Sequence, residues 1–141
     1  MEIKYNFDDI RQNQFAVFPD KLEDNSKLEL SAQFEVSSNL TIHSDISNLR
    51  CIVHLELKQK KDIILLIEVE TYFSLTKDSW DKIEDNKYKL PADFIRHLAL
   101  LSFSTVRGIV YSKTQDSESR KIILPSIDVN QIVKNDYIVE E

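Results

Sequence analysis

The stretch Leu90-Pro91-Ala92-Asp93-Phe94-Ile95-Arg96-His97-Leu98-Ala99-Leu100-Leu101-Ser102-Phe103-Ser104-Thr105-Val106-Arg107-Gly108-Ile109-Val110-Tyr111 decides how the rest of the chain is arranged. Pro91 suits the first helical position, where a missing N–H costs nothing, and Asp93 complements the positive end of the helix dipole. Turned at about 100° per residue, Phe94, Ile95, Leu98, Ala99, Leu101, Phe103, Val106, Ile109 and Val110 spread over roughly 200° of the surface. Asp93, His97, Ser104, Arg107 and Tyr111 keep the remaining strip. A surface helix needs an apolar stripe only about half that wide, so two partners must cover this one. The first is the chain's own sheet. Ala99, Ser102 and Thr105 lie mid-arc, where small side chains admit another backbone. For so short a chain a second subunit is the favoured second partner. An oligomer interface is then expected at Ala99, Ser102, Phe103 and Val106; the alternative is a central helix in one thick monomeric core.

Outward from the helix, the next strongest signal is alternation. Leu28, Leu30, Ala32, Phe34 and Val36 face one way, and Lys27, Glu29, Ser31, Gln33 and Glu35 the other, as in a strand with one dry and one wet side. Residues 49–58 and 63–75 predict a hairpin, whose charged tip Gln59-Lys60-Lys61-Asp62 has no glycine and suggests a loop longer than the tightest class. Pairing Leu57 with Ile63 puts Leu55 against Leu65, Val53 against Ile67 and Cys51 against Val69 on the core face. Arg50 then meets Glu70, a favourable cross-strand pair, with Ile52 against Glu68, His54 against Leu66 and Glu56 against Ile64 on an exposed acidic face. Apolar residues on such a face can mark a contact surface or be tolerated singly. Short strands are signalled around Ile3, Tyr5 and Phe7 and around Phe15 and Val17. Residues 77–85 read as a helical turn holding Trp80 and Ile83. Residues 112–120 read as a polar loop, Ile122-Ile123-Leu124-Pro125 as extended, 126–133 as a short helix, and 135–141 as an acidic tail. No linker or repeat divides the chain, so one domain over 1–141 is expected.

The chain has 141 residues with net charge −6, which leaves no basic excess for nucleic acid. No apolar run is long enough to cross a bilayer, and Met1-Glu2-Ile3-Lys4-Tyr5 carries charges where a signal peptide needs apolar residues, which points to the cytoplasm. With a single glycine, Gly108, neither a dinucleotide fingerprint nor a P-loop can be written. Lone Cys51 permits no internal disulfide and no cysteine metal cluster. His43, His54 and His97 are far apart. Asp93 and His97, one turn apart, could pair as acid and base, yet no nucleophile or orienting group joins them. No catalytic constellation, metal site or cofactor is expected, and a non-enzymatic role follows. Binding fits better: Phe34, Tyr72, Phe73, Trp80 and Phe94 fall near element ends, where they line a groove or else fill the core.

Several short motifs resemble the bacterial protein-export chaperone family of the preprotein translocase subunit SecB. Leu66-Ile67-Glu68-Val69 followed by Tyr72-Phe73 is similar to the family's Leu-x-Glu-Val…Ile-Phe strand. Arg107-Gly108 resembles its Arg-Gly step, and Ile123-Leu124-Pro125-Ser126-Ile127-Asp128 its Leu-Ala-Pro-Val-Asn segment; Leu28 and Leu30 sit in a Lys-Leu-Glu-Leu context like its second strand. The match spans roughly 26 to 133. It implies an α+β fold with a four-stranded antiparallel sheet and two helices on one face, assembled as a dimer of dimers. It implies ATP-independent holding of unfolded polypeptide in a groove that Leu28 and Leu30 help line; Phe34, Tyr72, Phe73 and Phe94, from the aromatic pattern above, complete the expected groove set. It also implies contact with the translocase ATPase SecA through Leu66 and Glu68, beside Glu70. The family's N-terminal aromatic–acidic element has its nearest counterpart in Phe15 to Pro19, without the acid. A SecB-like chaperone devoted to one client, such as an antitoxin, and a small-molecule binder with a pocket between sheet and helix are the alternatives.

Overall fold

Alternation and one tight hairpin build the sheet on which everything else rests. The computed structural model describes residues 2–18, 27–39, 47–115 and 124–139. Its elements are β1 (Tyr5–Val17), β2 (Leu28–Asn39), β3 (Ser47–Gln59), β4 (Asp62–Leu75), α1 (Lys77–Asp85), β5 (Lys89–Leu90), α2 (Ala92–Gln115), α3 (Val129–Ile132) and β6 (Tyr137–Ile138). The main sheet is four-stranded and antiparallel in the order β1-β4-β3-β2, so β1 and β2 form opposite edges. β5 and β6 make a separate two-stranded ribbon. The fold class is therefore α+β, with helices packed on one side of the sheet.

Most of the core face of β3 and β4 is as the pattern predicts, with Cys51, Val53, Leu55, Leu57, Leu65, Ile67 and Val69 all buried; Ile63, expected there too, pairs with Lys58 and is only half-buried. The strand register differs by two residues. Leu57 pairs with Leu65, Leu55 with Ile67, Val53 with Val69 and Cys51 with Thr71. The tip accounts for one residue of the slip, pairing Lys58 with Ile63, and a bulge between Leu57 and Lys58 for the other, leaving Ile64 over. Ile64 is consequently fully buried, though outside the main core cluster, which removes it from the exposed face. The hairpin loop is also shorter than expected: Gln59 pairs with Asp62, leaving only Lys60 and Lys61. Lys60 adopts a positive φ of 59°, and Lys61 N–H donates to the Gln59 carbonyl at 2.9 Å, closing a γ-turn without glycine.

α2 begins one residue later than the sequence suggests. Pro91 stands just outside, its carbonyl accepting from the N–H groups of Phe94 and Ile95. The helix runs on to Gln115, so the start of the expected polar loop is helical, and residues 116–123 lie outside the description. Ile95, Leu98, Ala99, Ser102, Phe103, Val106, Val110 and Thr114 form its buried stripe at helical spacing. The Thr71 and Ser102 hydroxyls meet at 2.8 Å, a direct bridge from β4 to α2. Ala99, Ser102, Phe103 and Val106 are thus covered by the chain's own sheet, not left for a second subunit. Small residues in mid-arc bring helix and sheet together. α1 has the span expected of the helical turn, capped by Thr76, whose hydroxyl accepts from Ser79 N–H at 3.3 Å. The helix expected over 126–133 contracts to the single turn α3.

Candidate functional site

β2 is an edge strand whose two faces meet two different hollows. On the helix side Leu30, Ala32, Phe34 and Val36 are half-buried, and Phe34 packs on Phe103 of α2 with ring centroids 6.1 Å apart. Next to them is a cavity of about 230 Å³, floored by Phe34, Val36 and Ile95 and walled by residues 132–137. On the opposite face is a hollow of about 310 Å³ lined by Gln33, Glu35, Ile52, His54 and Glu68. The successive residues 33 to 36 therefore serve the two sides in turn, as strand geometry requires. Both volumes lie at or below the lower end of ~300–1,000 Å³ typical of small-molecule pockets.

The face away from the helices is charged and cross-linked. His54 Nε2 lies 3.2 Å from Glu56 and Nδ1 lies 3.5 Å from Glu68. Lys58 approaches Glu56 at 3.4 Å, and the hydrogen bond from His54 is the chief reason the Glu56 carboxyl sits below its ordinary range. Glu70 is held low as well, first by the Tyr72 hydroxyl at 2.5 Å, then by Asn13 and the charges of Arg50 and Arg11. The same bond pushes the Tyr72 hydroxyl upward. Arg50 faces Tyr72 and not Glu70 in the register, yet its guanidinium reaches Glu70 diagonally at 3.5 Å. Leu66 and Glu68 are half-buried there and Glu70 is buried, so the three residues expected to meet a partner share one face and are little exposed.

The six groove residues do not share one surface. Leu28, Leu30 and Phe34 line the helix side of β2. Phe73 and Phe94 lie by the other edge with Tyr5, whose ring is 5.8 Å from each. Tyr72 points to the opposite face, where Arg11 sits 5.9 Å from its ring, because neighbours in a strand alternate. Trp80 packs on Tyr88 beyond the sheet. Asp93 and His97 do not pair: Asp93 binds Arg96 at 2.9 Å and His97 binds the Tyr5 hydroxyl at 2.6 Å. Burial pushes the Cys51 thiol up to about 12, which makes it an inert core residue. His43 lies outside the described residues. Among the described residues no three His, Cys, Asp or Glu side chains are grouped to hold a metal, and no helix is long and apolar enough to cross a membrane.

Sequence reasoning missed the cavity wall. Val133 accepts from Arg96 Nε at 2.9 Å, and the Asp136 carboxylate accepts from Ala92 N–H at 2.7 Å. Nothing in the local pattern of 132–137 signals that it returns to the start of α2.

No family model matches the chain, and no curated protein matches it in sequence. Solved structures do. A protein of unknown function from Streptococcus agalactiae aligns with TM-score 0.53 at 9% identity, covering 89% of this chain and 100% of its own. The Mycobacterium tuberculosis SecB-like chaperone Rv1957, in complex with a ChAD peptide from the Rv1956 HigA1 antitoxin, aligns with TM-score 0.54 at 16% identity, covering 87% of this chain and 90% of that one. Likeness at this identity speaks for architecture alone: the chain has a SecB-like fold.

Proposed function

We propose that this chain is a SecB-like holding chaperone, which keeps a non-native polypeptide segment from aggregating without ATP. The observation that carries the reading is the cavity floored by Phe34, Val36 and Ile95 beside edge strand β2, set in a SecB-like fold. An extended segment laid along β2 would bury apolar side chains against Phe34, Val36 and Ile95, with Leu28 and Leu30 continuing the strip. The acidic balance of the chain keeps such a complex soluble. That the fold neighbour is a chaperone solved with an antitoxin peptide supports a dedicated client over general export in the cytoplasm. Under the export alternative, SecA docks on the outer face at Leu66, Glu68 and Glu70.

Self-association belongs to the same proposal, at a new place. On the helix side of edge strand β1, Phe7 and Ile10 are 39% and 47% exposed, and Phe94, Leu101 and Ile109 of α2 are half-buried. A second copy covering that strip accounts for the part of the apolar arc that the sheet leaves open.

The test is suppression of aggregation of a chemically denatured client at stoichiometric protein. Failure to slow it, together with a thermal shift by metabolites and none by peptides, favours the small-molecule reading. Glu68→Lys should leave both folding and client holding intact and weaken only SecA contact; loss of the fold would reassign that face.

A further inference from the structure

Residues 124–139 cross α2 and descend beside β2. Only Leu124, Val133 and Val139 in this strap are buried; from 125 to 132 every side chain is exposed or half-buried. α3, its one helical turn, buries no residue at all. Leu124, Val133 and Val139 anchor it in the core and β6 pairs with β5 at its far end, while polar bonds to α2 hold the span between. Arg107 reaches the Pro125 carbonyl at 3.2 Å, Arg96 the Val133 carbonyl at 2.9 Å, and Asp136 takes the Ala92 N–H at 2.7 Å. The floor under the strap is Phe34, Val36 and Ile95, the apolar surface a client would need, and Ile132 and Tyr137 already stand against it.

We propose that the strap is an autoinhibitory cover, competing with the client for Phe34, Val36 and Ile95, with the clasp at Arg96 and Asp136 setting how often it lifts. This inference rests on the holding reading of the cavity. A client engages only the open fraction, so loosening the clasp tightens apparent binding in proportion to the opening it gains. Disruption therefore improves binding, which a purely structural role for these residues does not produce.

The experiment follows binding of fluorescein-labelled, reduced and carboxymethylated α-lactalbumin, a permanently unfolded probe, by anisotropy. Arg96→Met keeps the apolar stem and loses the donor, and Asp136→Ala removes the acceptor. Each is expected to bind the probe about three- to tenfold more tightly than the parent. Circular dichroism checks that the fold persists. In a Val36→Cys, Lys134→Cys variant, a short bis-maleimide closes the strap across the cavity while Cys51 stays fully buried. Bridging is expected to reduce binding at least tenfold against the same variant left unbridged. Unchanged or weaker binding by both folded clasp variants, or full binding by the bridged one, overturns the cover and leaves the holding reading standing. If parent, variants and unbridged control all fail to bind the probe, the holding reading falls and the cover falls with it.

Discussion

Thr71 and Ser102 show how much a single buried contact decides. Ser102 donates its proton to the Leu98 carbonyl at 2.8 Å, so the Thr71 hydroxyl must be the donor in their shared bond. Both residues are completely buried, with Cys51 beside them. Thr71→Val leaves the Ser102 oxygen without that donor, and a loss of about 1–3 kcal/mol is expected. Adding Ser102→Ala should recover most of it, since an apolar pair replaces a matched polar one. Denaturant unfolding of the two singles and the double reads the coupling directly. Glu70 is decided by charge. Its folded-state carboxyl is depressed, so its stabilising contribution is full above the ordinary value of 4.5 and drains as pH falls through the depressed one. Thermal melts taken from neutral to strongly acid pH should fall more steeply for the parent than for Glu70→Gln. Parallel curves would mean that Tyr72, Arg50 and Arg11 lend Glu70 nothing.

Among the elements, strand faces were legible in the sequence and strand register was not. Alternation with a period of two assigns Cys51, Val53, Leu55 and Leu57 to the core correctly, and a slip of two residues leaves every face beyond the bulge unchanged, with only Ile63 and Ile64 misplaced. The bulge at Ile64 carries no sequence mark, because an isoleucine reads the same inside a strand or in a bulge. The groove set broke for a related reason: Tyr72 and Phe73 are neighbours, so one strand sends them to opposite faces. α2 was legible as a helix, and its wide apolar arc is real, but the sheet covers its centre while Phe94, Leu101 and Ile109 flank it half-buried. Gly108 lies on the exposed side with nothing within 4 Å of an added Cβ. Gly108→Ala should thus raise stability by about 1 kcal/mol through helix propensity alone. A lower melting temperature would instead place another backbone against that position.

For the whole molecule, the balance between edges and covers decides the state in solution. The sheet has two free edges among the described strands, and they differ: β2 is flanked by the strap, whereas β1 carries exposed Phe7 and Ile10. If a second copy covers β1, Ile10→Lys should halve the particle mass by light scattering and leave the far-ultraviolet spectrum unaltered, since a charge there blunts an edge without touching the core. A parent protein already of single-chain mass would end that proposal. This part was least visible in the sequence, because a site made by residues 34, 36, 95 and 132–137 depends on chain return, which no local pattern records.

The bond from Ala92 to Asp136 also has a meaning in time. Translation delivers the beginning of a chain first, so the long helix emerges from the ribosome well before the carboxylate that caps it. Until residues 132–137 have followed, a nascent copy has no wall to set against Phe34, Val36 and Ile95.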